Sequence, residues 1–191
     1  MNYIYDNNFL YSQEADFLYT KLAQDILWRV VKDYTPKRGY NVASKMTWCE
    51  AITDRSPLRK LIAHIEQYHD CSFNMCTLSM HRDMQDYTSD HIDSKICPPE
   101  NGSKIAVLSL GATRLFQLEG REIIDLNLSH GDLLVLEPKD KNWKDSIYKL
   151  STPLPTDSTG LTYTLVYKKL PKETFSTSLE KYKQKYCGET L

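Results

Sequence analysis

The sequence has no Cys-x-x-Cys pair, no apolar run near the roughly 20 residues that span a bilayer, and almost no net charge. Each absence excludes something. Five cysteines at unpatterned spacings (Cys49, Cys71, Cys76, Cys97 and Cys187) do not read as a disulfide framework, so reduced thiols are the simplest account. The start MNYIYDNNF has neither the basic opening nor the apolar stretch of a signal peptide, and an intracellular, cytoplasmic or nuclear setting with no membrane partner is expected. A formal charge of −1 gives no global basic field, so any nucleic-acid partner would be held by a local patch. No internal repeat is present. At 191 residues, 41% hydrophobic and 26% charged, the chain fits one ordinary globular domain.

What is present divides into a helical first third and a strand-rich remainder. Ala15, Leu18, Leu22 and Ile26 recur at helical spacing behind Ser12, a candidate cap. Leu58, Leu61, Ile62 and Ile65 repeat the pattern after Ser56-Pro57. The segment between them, 38–54, reads as irregular or as a hairpin. From Cys71 onward six short segments carry β-branched and aromatic residues: 73–80, 104–110, 113–118, 122–128, 132–137 and 161–167. Gly111, Gly120 and His130-Gly131 supply turns between them. Helices followed by close-spaced strands predict an α+β protein with N-terminal helices on an antiparallel sandwich or barrel of jelly-roll type. Residues 1–170 read as the domain. Residues 171–191 read as a Lys-rich tail, a short helix or a solvated terminus.

The sharpest local feature is His91-Ile92-Asp93. In an extended strand, residues i and i+2 share a face, which sets an imidazole beside a carboxylate. Those are two of the three ligands of a facial triad for non-haem Fe(II). Read without context, the pair is also what a surface loop provides by chance.

The order of the segments supplies context. After His91-x-Asp93 come IAVLSLGATRLFQL, LSHGDLLVLEP, NWKDSIYK and LTYTLVYKK, while NNFLYSQEADFLYTKLAQDILW, ending in Trp28, and FNMCTL precede it. Over roughly residues 3–170 this order resembles the AlkB family of Fe(II)- and 2-oxoglutarate-dependent dioxygenases. The resemblance implies a double-stranded β-helix core, Fe(II) and 2-oxoglutarate as cofactors, and oxidative dealkylation of alkylated DNA or RNA. It places Asp145 at the family's third metal ligand, normally a histidine. It places Thr162, Thr164 and Lys168 at the Arg, Asn and Arg of the last strand, and Ser79 and His81 at the Asn-x-Tyr pair, all cofactor-binding positions. Lys168 and Lys169 are interchangeable at this level.

These departures weaken the cosubstrate contacts, because threonine cannot replace an arginine fork. Lys95, Lys104 and Lys149 are the candidates for a replacement cation. A site with one imidazole and two carboxylates favours hard cations more than the usual one does. On the substrate side, Trp48 lies at the base-contacting segment, where it would stack on an extruded base, and Lys95 follows the His-x-Asp pair. Lys139, Lys141, Lys144 and Lys149 would form a basic rim, the arrangement phosphate contacts need. No catalytic residue beyond the metal site is expected. Two main readings follow: an active dioxygenase with a variant site, or an inactive AlkB-fold module that binds nucleic acid or protein. A structural or interaction role without nucleic acid is the third.

Overall fold

The computed structural model describes residues 2–26, 28–35, 40–51, 58–91, 104–138, 143–147, 160–172 and 175–182. Its elements in chain order are β1 (Asn2–Asp6), α1 (Ser12–Asp25), β2 (Arg29–Thr35), β3 (Tyr40–Ala51), α2 (Arg59–His69), β4 (Met75–His81) and β5 (Thr88–His91). There follow β6 (Ile105–Gly111), β7 (Arg114–Glu119), β8 (Ile123–Leu128), β9 (Leu133–Glu137), β10 (Lys144–Ile147), β11 (Thr162–Lys168) and α3 (Phe175–Tyr182).

The strands form two antiparallel sheets. The larger has the order β1-β9-β6-β11-β4-β3-β2, and the smaller the order β5-β10-β7-β8. Within the segment 38–54 the described residues 40–51 form β3, which pairs antiparallel with β2, the hairpin alternative. Ser12 is the first helical residue rather than the cap; Tyr11 caps α1, and its N–H donates to the Glu14 carboxylate at 3.3 Å. The second helix begins at Arg59, and the expected Ser56-Pro57 start lies outside the described residues. Among the described residues no helix is long and apolar enough to cross a membrane.

Alternation along each strand sends residues to two faces and so makes two cores. Cys76, Leu78, Ala106, Leu108, Leu110, Tyr163, Leu165 and Tyr167 leave the large sheet on its outer face. There they meet Ala15 and Leu22 of α1 and Ile62 and Ile65 of α2, so both N-terminal helices pack on this sheet. Trp28, just beyond α1, stacks on Tyr163 at 5.4 Å. The second core lies between the sheets and contains Ile105, Val107, Leu134 and Leu136 from one, and Phe116, Leu118, Leu128 and Ile147 from the other.

The LSHGD segment has a structural job. His130 Nδ1 accepts the Gly111 N–H at 2.8 Å, which leaves the ring proton on Nε2, 3.3 Å from Asp16. Asp132, buried, accepts from the Tyr5 hydroxyl at 2.6 Å and from the N–H groups of Asn8 and Ser129. That cluster ties the first strand to the turn before β9. Gly111 must be glycine: its φ is +99°, and a Cβ there would run into the Leu161 carbonyl oxygen.

Candidate active site

The two sheets share a closed end. Gly111 ends β6, Arg114 begins β7, and Thr162, which begins β11, lies opposite Gly111 and His81. Strands β7 and β11 therefore both run away from this end. His81 Nε2 lies 3.0 Å from Thr88 Oγ1, which sets the start of β5 at the closed end as well. His91, at the end of β5, and Asp145, near the start of β10, consequently lie toward the opposite end.

There the ladder between β5 and β10 sets Asp145 directly opposite His91. The register shifts between Asp145 and Ile147, so the ladder is irregular next to this pair. Asp145 is 8% exposed and its β7 neighbour is Leu118, a member of the core between the sheets. Asp93 lies outside the described residues, as does Lys95. Among the described residues no group of three His, Cys, Asp or Glu side chains forms a metal cluster.

The positions assigned to the cosubstrate share one block of the inner face. Thr162 is opposite His81, Thr164 is opposite Ser79 on one side and Ser109 on the other, and Lys168 is opposite Met75. Thr162, Thr164 and Lys168 share a face by alternation, and all are 1–2% exposed. Ser79, His81, Ser109 and Thr77 are buried too. The Lys168–Lys169 ambiguity is resolved: Lys168 is buried, whereas Lys169 is exposed and donates to Ser72 at 2.7 Å.

A buried polar group is costly unless it has a partner, so so many hydroxyls and charges on one inner face need a reason. Two polar atoms in this interior, Thr77 Oγ1 and Trp143 Nε1, have no hydrogen-bond partner among the described residues. Trp143 is two residues before Asp145 and almost completely buried. A polar, anionic molecule between the sheets fits this donor-rich lining, and the backbone register sets a histidine position opposite a carboxylate position, residue types that bind divalent cations.

One charged residue here was not foreseen. Arg114 is 2% exposed and lies on the inner face of β7 with Phe116 and Leu118. Its Nε–H donates to Thr162 Oγ1 at 3.0 Å, and its Nη groups donate to the carbonyls of Asp86 at 2.9 Å, Gly160 at 2.9 Å and Asp83. Thr162 in turn donates to the Ala112 carbonyl at 2.9 Å. Burial pushes the guanidinium down to about 10, with Asp86 and Asp83 pulling the other way, so it remains a cation at neutral pH. The only sequence signal was its place at the start of an alternating strand, where an inward arginine breaks the apolar pattern.

Other expected positions stand apart. Lys104 is not available as a replacement cation: it donates to the His69 carbonyl at 2.7 Å and pairs with Glu137 at 3.1 Å. Lys149, Lys139 and Lys141 lie outside the described residues, and Lys144 pairs with Glu119 at 3.3 Å. In backbone register Trp48 is opposite Leu78, on the helix-covered row, while Thr47 is opposite Ser79. The register thus does not bring position 48 to the inner polar block.

Comparison with known proteins agrees with this architecture. Sequence comparison with curated proteins finds no match. The solved structure of OsALKBH1 superimposes with a TM-score of 0.64 at 14% identity, covering 87% of this chain and 97% of that one. A Trichoplax adhaerens prolyl hydroxylase, solved with a hypoxia inducible factor oxygen degradation domain peptide, gives 0.63 at 11% identity, covering 92% and 86%. An oxidoreductase of the 2OG-Fe(II) oxygenase family from Burkholderia pseudomallei gives 0.61 at 10% identity, covering 87% and 84%. These likenesses show the double-stranded β-helix fold. The family model of the 2OG-Fe(II) oxygenase superfamily matches residues 24–153, most of the chain and both strands of the His91–Asp145 pair, and the chain belongs to that superfamily.

Proposed function

We propose that this protein is an AlkB-like Fe(II)- and 2-oxoglutarate-dependent dioxygenase with a variant metal site, acting on alkylated DNA or RNA by oxidative dealkylation. The observation that carries the reading is the β5–β10 register, which sets Asp145 opposite His91. His91, Asp93 and Asp145 would hold the metal. When bound, iron and 2-oxoglutarate supply the O₂-dependent oxidation of a C–H bond. The chain's own residues bind and orient. Ser79, His81, Thr162 and Thr164 line the cosubstrate compartment, and Lys168 offers a charge at its metal-proximal end. The apolar half of the interior excludes water from that compartment. Lys95 and the lysines of 139–149 are the proposed substrate contacts, whereas the register of position 48 with Leu78 argues against the stacking role expected for Trp48.

A second reading is an inactive module of the same fold that binds nucleic acid or protein. Thr162 favours it: its hydroxyl is already engaged by Arg114 and the Ala112 carbonyl, so it offers a ligand little. The test is turnover. Protein loaded anaerobically with Fe(II) is given 2-oxoglutarate, O₂ and N-methylated DNA or RNA oligonucleotides. Formaldehyde and succinate in equal amounts support the dioxygenase. Their absence, with oligonucleotide binding retained, supports the inactive module.

A further inference from the structure

We infer that Arg114 is the cation that holds the distal carboxylate of 2-oxoglutarate in this chain, supplied from β7 because the last strand has a threonine at that position. The inference rests on the oxygenase reading above and adds a residue to it.

Position comes first. The Arg114 Nε–H bonds to Thr162, the residue standing where the family's last strand carries its arginine. The guanidinium thus reaches the same corner of the interior from the facing sheet. Asp145 is level with Leu118, four residues along β7 from Arg114, or about 13 Å of strand. A short dicarboxylate anchored near Asp145, together with an arginine side chain, spans that interval. Lys168 does not serve this corner, because it is six residues along β11 from Thr162, about 20 Å toward the other end.

Charge comes second. Among the described residues, the four hydrogen bonds made by Arg114 go to neutral acceptors, one hydroxyl and three carbonyls. The nearby Asp86 carboxylate is taken by Arg82, through Nε at 2.7 Å and Nη2 at 2.8 Å. Among the described residues no carboxylate lies within ion-pair distance of Arg114. A guanidinium has five N–H groups, so among the described residues one Nη1–H remains for a ligand. A buried cation whose own hydrogen bonds go to neutral dipoles, with Asp86 and Asp83 acting on it only from beyond contact, is costly, and an incoming carboxylate would compensate it. The predicted contact is a single charge-assisted bond, not a bidentate fork, since the rest of the group is held by loop carbonyls.

The test separates this assignment from the reading beneath it. Metal binding is measured first, with Mn(II) under anaerobic conditions. The metal-loaded protein is then titrated with 2-oxoglutarate and with 2-oxopentanoate, which keeps the 2-oxo acid end and lacks the distal carboxylate. The expected preference for 2-oxoglutarate is about ten- to a hundredfold, the worth of one charge-assisted bond. Arg114→Met should bring the two ligands to near-equal affinity, and Arg114→Lys should fall between. Because Arg114 also holds loop carbonyls, a readout on the unaltered chain accompanies the variants. In the Zn(II)-loaded protein the ¹⁵N–¹H resonance of Arg114 Nε should shift with 2-oxoglutarate and not with 2-oxopentanoate. Equal affinities in the wild type, or a resonance indifferent to both, would overturn the assignment while leaving the oxygenase reading standing. Failure to bind Mn(II) and either oxo acid would remove both.

Discussion

Strands β4 and β11 are buried on both faces, and the two faces have opposite chemistry. Outward, under α1 and α2, they present Cys76, Leu78, Tyr163, Leu165 and Tyr167. Inward, beside the apolar Met75 and Val166, they present Thr77, Ser79, His81, Thr162, Thr164 and Lys168, all buried. The inner face of neighbouring β6 and β9 shows that an apolar lining was available there: Ile105, Val107, Leu134 and Leu136 form one. Burial alone thus does not explain the polar block. The outer face holds the sheet to its helices, and on the proposed function the inner polar block of β4 and β11 serves the cosubstrate.

The comparison can be broken or sharpened by substitution, starting with the largest effect. Leu165→Ala, at a fully buried outer position, should cost about 2–5 kcal/mol in urea unfolding and leave 2-oxoglutarate affinity unchanged in the folded protein. An affinity loss without a stability loss there would erase the distinction between faces. Gly111→Ala should cost about 1–3 kcal/mol, because the left-handed backbone and the Leu161 carbonyl both oppose a Cβ. It should also raise the exchange rate of amides at the closed end, read by hydrogen exchange. Thr164→Val is the inward counterpart. Its stability change should stay within about 1.5 kcal/mol, while calorimetric 2-oxoglutarate affinity falls roughly three- to tenfold, the worth of one hydrogen bond. A variant that melts early and binds normally would make Thr164 a packing residue.

The smallest effect concerns the turn that ties β1. Burial, and then Asp132, push the Tyr5 hydroxyl up to about 12, above its ordinary value near 10. A raised folded value means the contribution is complete below pH 10 and is lost as pH climbs from 10 to 12. Wild type should lose urea stability across that window relative to Tyr5→Phe. Parallel profiles would show that Tyr5 does not titrate with folding.

The legible parts of the fold were those where packing dictates pattern. The two amphipathic helices and β4, β6, β7, β8, β9 and β11 all announce themselves by apolar periodicity, because each buries an apolar face. β5 and β10 do not. They are four residues each, Thr88–His91 and Lys144–Ile147, and too short and polar to show an apolar period. The local His-x-Asp spacing singled out His91 and motif order singled out Asp145, and only the register shows them as neighbours. β1 is an exposed edge strand, so it carried no burial pattern to read. Arg114 was illegible for another reason. Its partners, Thr162, Asp83, Asp86 and Gly160, are scattered along the chain, and no local spacing could show a buried guanidinium meeting them.

The central claim is that the His91–Asp145 register marks a metal site. Anaerobic calorimetric titration of Fe(II) into wild type, Asp145→Ala and Asp145→His tests it most directly. One site in the wild type is expected, weakened at least about tenfold by alanine and strengthened by histidine, the softer and more usual third ligand for iron. Equal binding by all three proteins, or none by any of them, would contradict the assignment of Asp145 and of the site.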